Sequence, residues 1–167
     1  PNDEVKVGIT KGLLEYFGGQ GTAYSPVVSA VIKGFRSHNI DMVMEAVKSY
    51  MSGVPYDAEK QNENHYKTLI HGLFFLAGDF LVRCEEKSAA GRADLVVETA
   101  DSVYVLEFKL SESGTVDSAL KQIDDKGYLI PYGIKKAADG TPKKLFKVGV
   151  VIDHEKRTLG EWRMVEG

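Results

Sequence analysis

The sequence predicts a mixed α/β domain in which a central sheet is flanked by helices, in the order helix, three strands, helix, two strands, with a helical extension ahead of it. Two observations carry this. Residues 60–78 place Tyr66, Leu69, Ile70, Leu73, Phe74 and Ala77 on one helical stripe. After them come short runs rich in Val, Leu, Tyr and Phe, bounded by polar turn residues, with one more helical pattern before the last two runs.

The extension covers residues 1–54. Val5, Ile9, Leu13, Leu14 and Phe17 have helical spacing over residues 3–17, with Asn2 or Asp3 able to cap. Gly18-Gly19-Gln20-Gly21 ends that helix. It is no phosphate loop, because the Gly-Lys-Ser/Thr ending is missing. Residues 26–37 and 40–52 read as two further helices, and Gly53-Val54-Pro55 breaks the pattern.

In the second part, 55–167, strands are expected near 80–88, 92–99 and 102–110, with Asp101-Ser102 turning the chain between the last two. A helix near 115–129 follows, then the strand Phe146–Ile152 and a short strand over 159–165. The segment Lys135–Lys144 is expected to be the mobile loop.

Side chains alternate along a strand, so Val103, Val105, Glu107 and Lys109 share one face, and Tyr104, Leu106, Phe108 and Leu110 the other. Glu107-Phe108-Lys109 alone fits a charged pair on the solvated side of a strand. Asp94, thirteen residues upstream in the run Ala93-Asp94-Leu95-Val96-Val97, makes a site reading comparable. If the two runs pair as a hairpin, an aspartate, a glutamate and a lysine meet on one sheet. Two carboxylates give a hard, oxygen-rich setting for a divalent cation, and a neighbouring lysine can offset negative charge. Glu63, at the edge of the helical stripe, also fits a glutamate favoured by a helix N-terminus.

Other chemistries find little support. His38, His65, His71 and His154 lack zinc spacing. The single cysteine, Cys84, excludes an internal disulfide, reads as a packed strand residue and fits a reducing cytoplasm. No apolar run reaches membrane-spanning length. The net charge of −3 argues mildly against coating nucleic acid by bulk charge, although lysines 121, 126, 135, 136, 143, 144 and 147 are candidates for a local basic surface or a solvated face.

In order along the chain stand Asn62-Glu63-Asn64-His65-Tyr66, Gly91-Arg92-Ala93-Asp94-Leu95-Val96, Val105-Leu106-Glu107-Phe108-Lys109, Ala119-Leu120-Lys121-Gln122-Ile123 and Lys126-Gly127-Tyr128. This text resembles the PD-(D/E)XK nuclease superfamily, whose signature is an acidic residue, a variable gap, then Asp/Glu-X-Lys on the next strand. Ala93 stands where the superfamily name has proline, a residue that shapes the backbone and does no chemistry. The resemblance covers roughly residues 55 to 165. It is to the branch in which the nuclease-like domain is the C-terminal part of a larger protein with an AAA-ATPase-like N-terminal domain. Pro1-Asn2-Asp3-Glu4-Val5 resembles the joining segment, which implies that an apolar patch including Val5, Ile9, Leu13, Val27 and Val31 is covered by that absent domain.

The resemblance implies a restriction-endonuclease-like core and a hydrolase of nucleic-acid phosphodiesters, DNA or RNA. It implies magnesium or manganese held by Asp94, Glu107 and the backbone carbonyl of Phe108, with Glu63 contributing directly or through water. Lys109 is implied to stabilise charge on the phosphate, and Gln122 to orient the water or the lysine. The implied partners are nucleic acid and the ATPase-like domain of the same protein. The rival reading is a catalytically silent nuclease-fold module that binds nucleic acid or a partner protein.

Overall fold

The computed structural model describes residues 24–54 and 62–167. The helix expected over 3–17, the glycine run after it, Pro55, and Val5, Ile9 and Leu13 of the expected patch lie outside the described residues. The chain forms two compact units, one ending at Gly78 and one starting at Asp79.

The first unit holds α1 (Tyr24–Arg36), α2 (Ile40–Ser52) and α3 (Glu63–Ala77). Gly34 lets α1 approach α2 closely, since a Cβ there would lie 2.5 Å from Val43 Cγ2. Asn39 and Asn62 begin α2 and α3, their side chains accepting from the backbone N–H of Met42 and His65. Gly78 ends α3 in the left-handed conformation, at φ 69°. The apolar stripes meet in a core that includes Val31, Phe35, Val43, Met44, Ile70, Leu73 and Phe74, with Phe35 and Phe74 edge to face at 5.1 Å. Val31, expected in an exposed patch, is fully buried in this core. It sits on the inward stripe of an amphipathic helix, one turn before Phe35.

The second unit is a five-stranded mixed sheet in the order β1 (Leu81–Ser88), β2 (Gly91–Glu98), β3 (Ser102–Leu110), β4 (Lys144–Asp153), β5 (Thr158–Glu166). The β3–β4 pair is parallel and the other pairs are antiparallel. A parallel pair needs a crossover, supplied here by α4 (Val116–Asp125) and a 3-10 turn at Ile130–Tyr132. This is the α/β architecture of a restriction-endonuclease-like core. Cys84 lies on the edge strand β1 and is exposed, not packed as expected, because β1 has a neighbour on one side only.

The central strand β3 is buried from Ser102 to Phe108 on both of its faces. On one face Val103 and Val105 join Val96 under Ile123 of α4 and under Tyr128 and Tyr132 beyond it. Farther along, Val116 and Leu120 of α4 pack on Val151 of β4. Gly149 of β4 permits this close seating, because a Cβ there would lie 2.8 Å from the carbonyl oxygen of Val116.

Helix α4 is shorter than the periodicity predicts. Gly127 adopts φ 61°, its N–H bonds to Asp124, and the N–H of Tyr128 bonds to Ile123 at 3.1 Å. These paired bonds form a Schellman stop, which turns the chain so that Tyr128 can reach the sheet.

At the far end of β2, Glu98 is 7% exposed and faces three cations: Arg83 and Lys143 at 3.1 Å and Lys135 at 3.6 Å. Lys143 also donates to Thr99 O at 2.7 Å. Lys135 and Lys143 are the two sides of a hairpin neck, closed by Lys143 N–H donating to Lys135 O at 2.9 Å. The segment expected to be mobile is therefore a hydrogen-bonded hairpin whose neck is tied to a buried carboxylate. Among the described residues no helix is long and apolar enough to cross a membrane.

Burial alone raises the Glu98 pKa, but hydrogen bonds from Lys143 and Arg83 and the charges of Lys143 and Lys135 outweigh it. The group titrates below its ordinary value of 4.5. Its stabilising contribution is complete above that value and is lost as pH falls through the lower, folded pKa. Glu98→Gln is expected to cost about 2 kcal/mol at neutral pH, the scale of a lost charge-assisted bond. The same change should flatten the acid limb of a thermal-unfolding series run below pH 4.5. A limb equally steep in wild type and variant would refute this assignment.

Candidate active site

The β2–β3 ladder pairs Glu98 with Val103 and continues in register to Leu95 with Leu106. The paired register ends there, and Asp94 and Glu107 are the next residues on the two strands. At that step a side chain takes over from the backbone: Asp94 Oδ2 accepts the N–H of Phe108 at 2.9 Å. In an extended strand the N–H and C=O of one residue point the same way, so the Phe108 carbonyl also faces the β2 side.

Glu107 is 3% and Asp94 9% exposed. The open alternative for Glu107, a solvated strand face, is thereby removed, because α4 covers that face. A buried carboxylate needs donors. Gln122, in the middle of α4, supplies one: its Nε2 donates to Glu107 Oε1 at 2.5 Å. Its Oε1 accepts from Lys109 Nζ at 2.6 Å. A carboxylate only accepts and an ammonium only donates, so the amide can face in one direction only. Lys109 Nζ also lies 3.6 Å from Glu107 Oε1. Glutamate, amide and ammonium thus close a triangle beside Asp94.

Four of the residues singled out in the sequence, Asp94, Glu107, Lys109 and Gln122, stand on β2, β3 and α4 of this unit. Phe108 lies between Glu107 and Lys109 and links to Asp94 through its N–H. Glu63 is the first residue of α3 in the helical unit, where it pairs with Lys67 at 2.7 Å. Most of the candidate basic residues are already engaged. Lys121 pairs with Asp125, Lys147 with Asp124, and Lys135 and Lys143 with Glu98. Lys126, Lys136 and Lys144 are exposed.

Among the described residues no group of three or more His, Cys, Asp or Glu side chains is placed to hold a metal ion. The donors at hand are two carboxylates and a backbone carbonyl. These are hard oxygens that suit magnesium or manganese, and magnesium usually keeps waters for its remaining positions.

Sequence reading passed over the residues that support this cluster. Thr115 accepts from Ser118 N–H, and Ser118 Oγ accepts from Thr115 N–H at 2.8 Å, a capping box that starts α4 below Gln122. Thr115-x-x-Ser118 is the signal that marks it. An isolated glycine inside a strand, Gly149, is the signal for the close approach of α4.

The sequence profile described as the PD-(D/E)XK nuclease superfamily matches residues 61–162, more than half the chain. The chain belongs to this superfamily. The matched stretch runs from just ahead of α3 into β5 and contains every residue of the cluster. The chain is also 26% identical, over 95% of its length, to an uncharacterized protein in the vnfD 5' region of Azotobacter chroococcum mcd 1. The chain spans 30% of that relative's length. No solved structure matches the chain significantly.

Truncating Asp94 leaves the buried N–H of Phe108 without its acceptor. Asp94→Ala is expected to cost about 1–3 kcal/mol in urea unfolding, and Asp94→Asn, which keeps an acceptor oxygen, clearly less. Equal loss in the two variants would show that the bond to Phe108 contributes little.

Proposed function

We propose that this domain is a metal-dependent nuclease that hydrolyses nucleic-acid phosphodiester bonds, and that it forms the C-terminal part of a larger, ATPase-like cytoplasmic protein. The observation that carries the reading is the Glu107–Gln122–Lys109 triangle beside Asp94, in a chain of the nuclease superfamily. The larger setting is supported by the short span of the chain on its relative. The catalytic domain is taken as residues 55–167, with residues 1–54 as the linking extension.

In this reading Asp94, Glu107 and the Phe108 carbonyl hold magnesium or manganese, with Glu63 contributing directly or through water. The ion, when bound, supplies Lewis acidity toward the phosphate and lowers the pKa of a water. The protein's own groups do the rest. Lys109 presents a fixed positive charge to the phosphate oxygens, where negative charge grows in the transition state. Gln122 holds that ammonium through Oε1 and keeps it from collapsing onto Glu107. Asp94, locked by the Phe108 N–H, stays oriented without having to reorganise.

Wild type should cleave in a magnesium- or manganese-dependent way when offered single-stranded DNA, duplex DNA and RNA, and the substrate class is read from which is cut. Lys109→Ala should lose on the order of 100-fold or more in rate with its circular dichroism unchanged. A manganese titration should weaken in Asp94→Ala. Unaltered cleavage in Lys109→Ala, or an identical manganese response in Asp94→Ala, would overturn the proposal. Binding of nucleic acid or protein with no cleavage under any of these conditions would favour the silent module.

A further inference from the structure

Gly114 stands just ahead of α4, where its N–H closes a turn onto Leu110 O at 3.1 Å, and no left-handed geometry calls for a glycine. The described glycines with positive φ are Gly78, Gly91, Gly127 and Gly140, so the backbone at Gly114 is one that other residues adopt. What excludes a side chain there is space. A Cβ on Gly114 would lie 2.9 Å from Lys109 Cγ and 3.0 Å from Lys109 Cδ. These are atoms in the middle of the lysine stem, and they cannot swing aside as a chain end can. The same Cβ would lie 2.9 Å from Ser118 Oγ. That hydroxyl is fixed by the capping box, accepting from Thr115 N–H at 2.8 Å and donating to Thr115 O at 2.9 Å.

The lysine is therefore confined along its whole length. Its base is on β3, its stem passes Gly114, and its ammonium meets Gln122 Oε1 at 2.6 Å. Ser118 and Gln122 are one helical turn apart on α4, so the helix flanks the stem and grips the tip. A free lysine carries about 2 kcal/mol of rotamer entropy. Holding it in one conformer before substrate arrives removes that cost from the reactive step.

We infer that Gly114 is a positioning residue for Lys109: its missing side chain is the slot that aims the ammonium. This rests on the reading of Lys109 as the cleavage lysine, but the slot itself can be tested without activity.

The first arm is a double-mutant cycle in thermal unfolding. Gly114→Ala should lower the melting temperature of the wild-type background by a few degrees, and by clearly less in a Lys109→Ala background, where the stem is gone and only the Ser118 contact remains. The restored background also covers the outcome in which Gly114→Ala alone fails to fold. Gly133→Ala serves as control, since a Cβ there meets Ile130 O at an ordinary 3.5 Å. The second arm follows the Lys109 side-chain nitrogen by NMR. Its resonance should move in Gly114→Ala and stay in Gly133→Ala. The third arm is kinetic: at saturating substrate Gly114→Ala should turn over roughly 10- to 100-fold more slowly, the scale of a small misplacement, with KM little changed.

An equal loss of stability in both backgrounds, or an unmoved Lys109 resonance, overturns the inference. A wild type that cuts nothing overturns the nuclease reading instead, and the first two arms still decide the slot.

Discussion

One side-chain amide organises the charged end of this sheet. Glu107 is an ionisable group on the most enclosed strand of the molecule, and a carboxylate in such a place is tolerated only with a donor in reach. Gln122 provides it from the helix above, and the other end of the same amide takes the ammonium of Lys109. The placement of α4 is thus an electrostatic requirement as much as a packing one. Everything that fixes that helix acts on the cluster: Gly149 beneath it, the Thr115–Ser118 cap at its start, and the Gly127 stop at its end. Apolar seating and polar satisfaction support each other here, as expected of a sequence that specifies one structure.

The same sheet face carries two buried acidic positions with opposite surroundings. Glu107 has the Lys109 ammonium 3.6 Å from its Oε1, and Asp94 accepts the N–H of Phe108. Glu98, four residues from Asp94 on the same strand, has three cations around it. The Glu98 carboxylate is therefore saturated by the protein and serves to join distant segments. The Asp94–Glu107 pair instead meets a backbone N–H, the Gln122 amide and the Lys109 ammonium. Between them lie Val96, Val103 and Val105, an apolar floor that keeps the two polar systems from merging.

How much of this could be read from the chain depended on how local each signal was. The bounds of β3 followed from alternation and from the Asp101-Ser102 turn, both contained in the strand itself. The stop of α4 was missed because helical periodicity runs on past it, and only the conformation at Gly127 ends it. Period-two alternation tells which residues share a face and says nothing of what lies above that face, so the burial of Glu107 waited for α4. Cys84 failed for the same reason in reverse: an apolar-looking strand position gave no sign that its strand was an edge. The company of Glu98 was out of reach, because Arg83, Lys135 and Lys143 come from three separate stretches. Asp94, Glu107, Lys109 and Gln122 were legible through the family text, which records their joint spacing where propensity cannot.

The hairpin closed by Lys135 and Lys143 has a further use. Both lysines are held at the neck by the Lys143–Lys135 hydrogen bond and by Glu98, which sets the tip apart from β2 and β4. Gly140 at that tip has φ 85° and disfavours any side chain, but Ala138 near it is exposed. An inserted epitope or a dye-bearing residue at this position would extend from the molecule on a stiff stalk. The hairpin is thus a natural handle for immobilisation or fluorescence labelling that leaves the cluster on β2, β3 and α4 untouched.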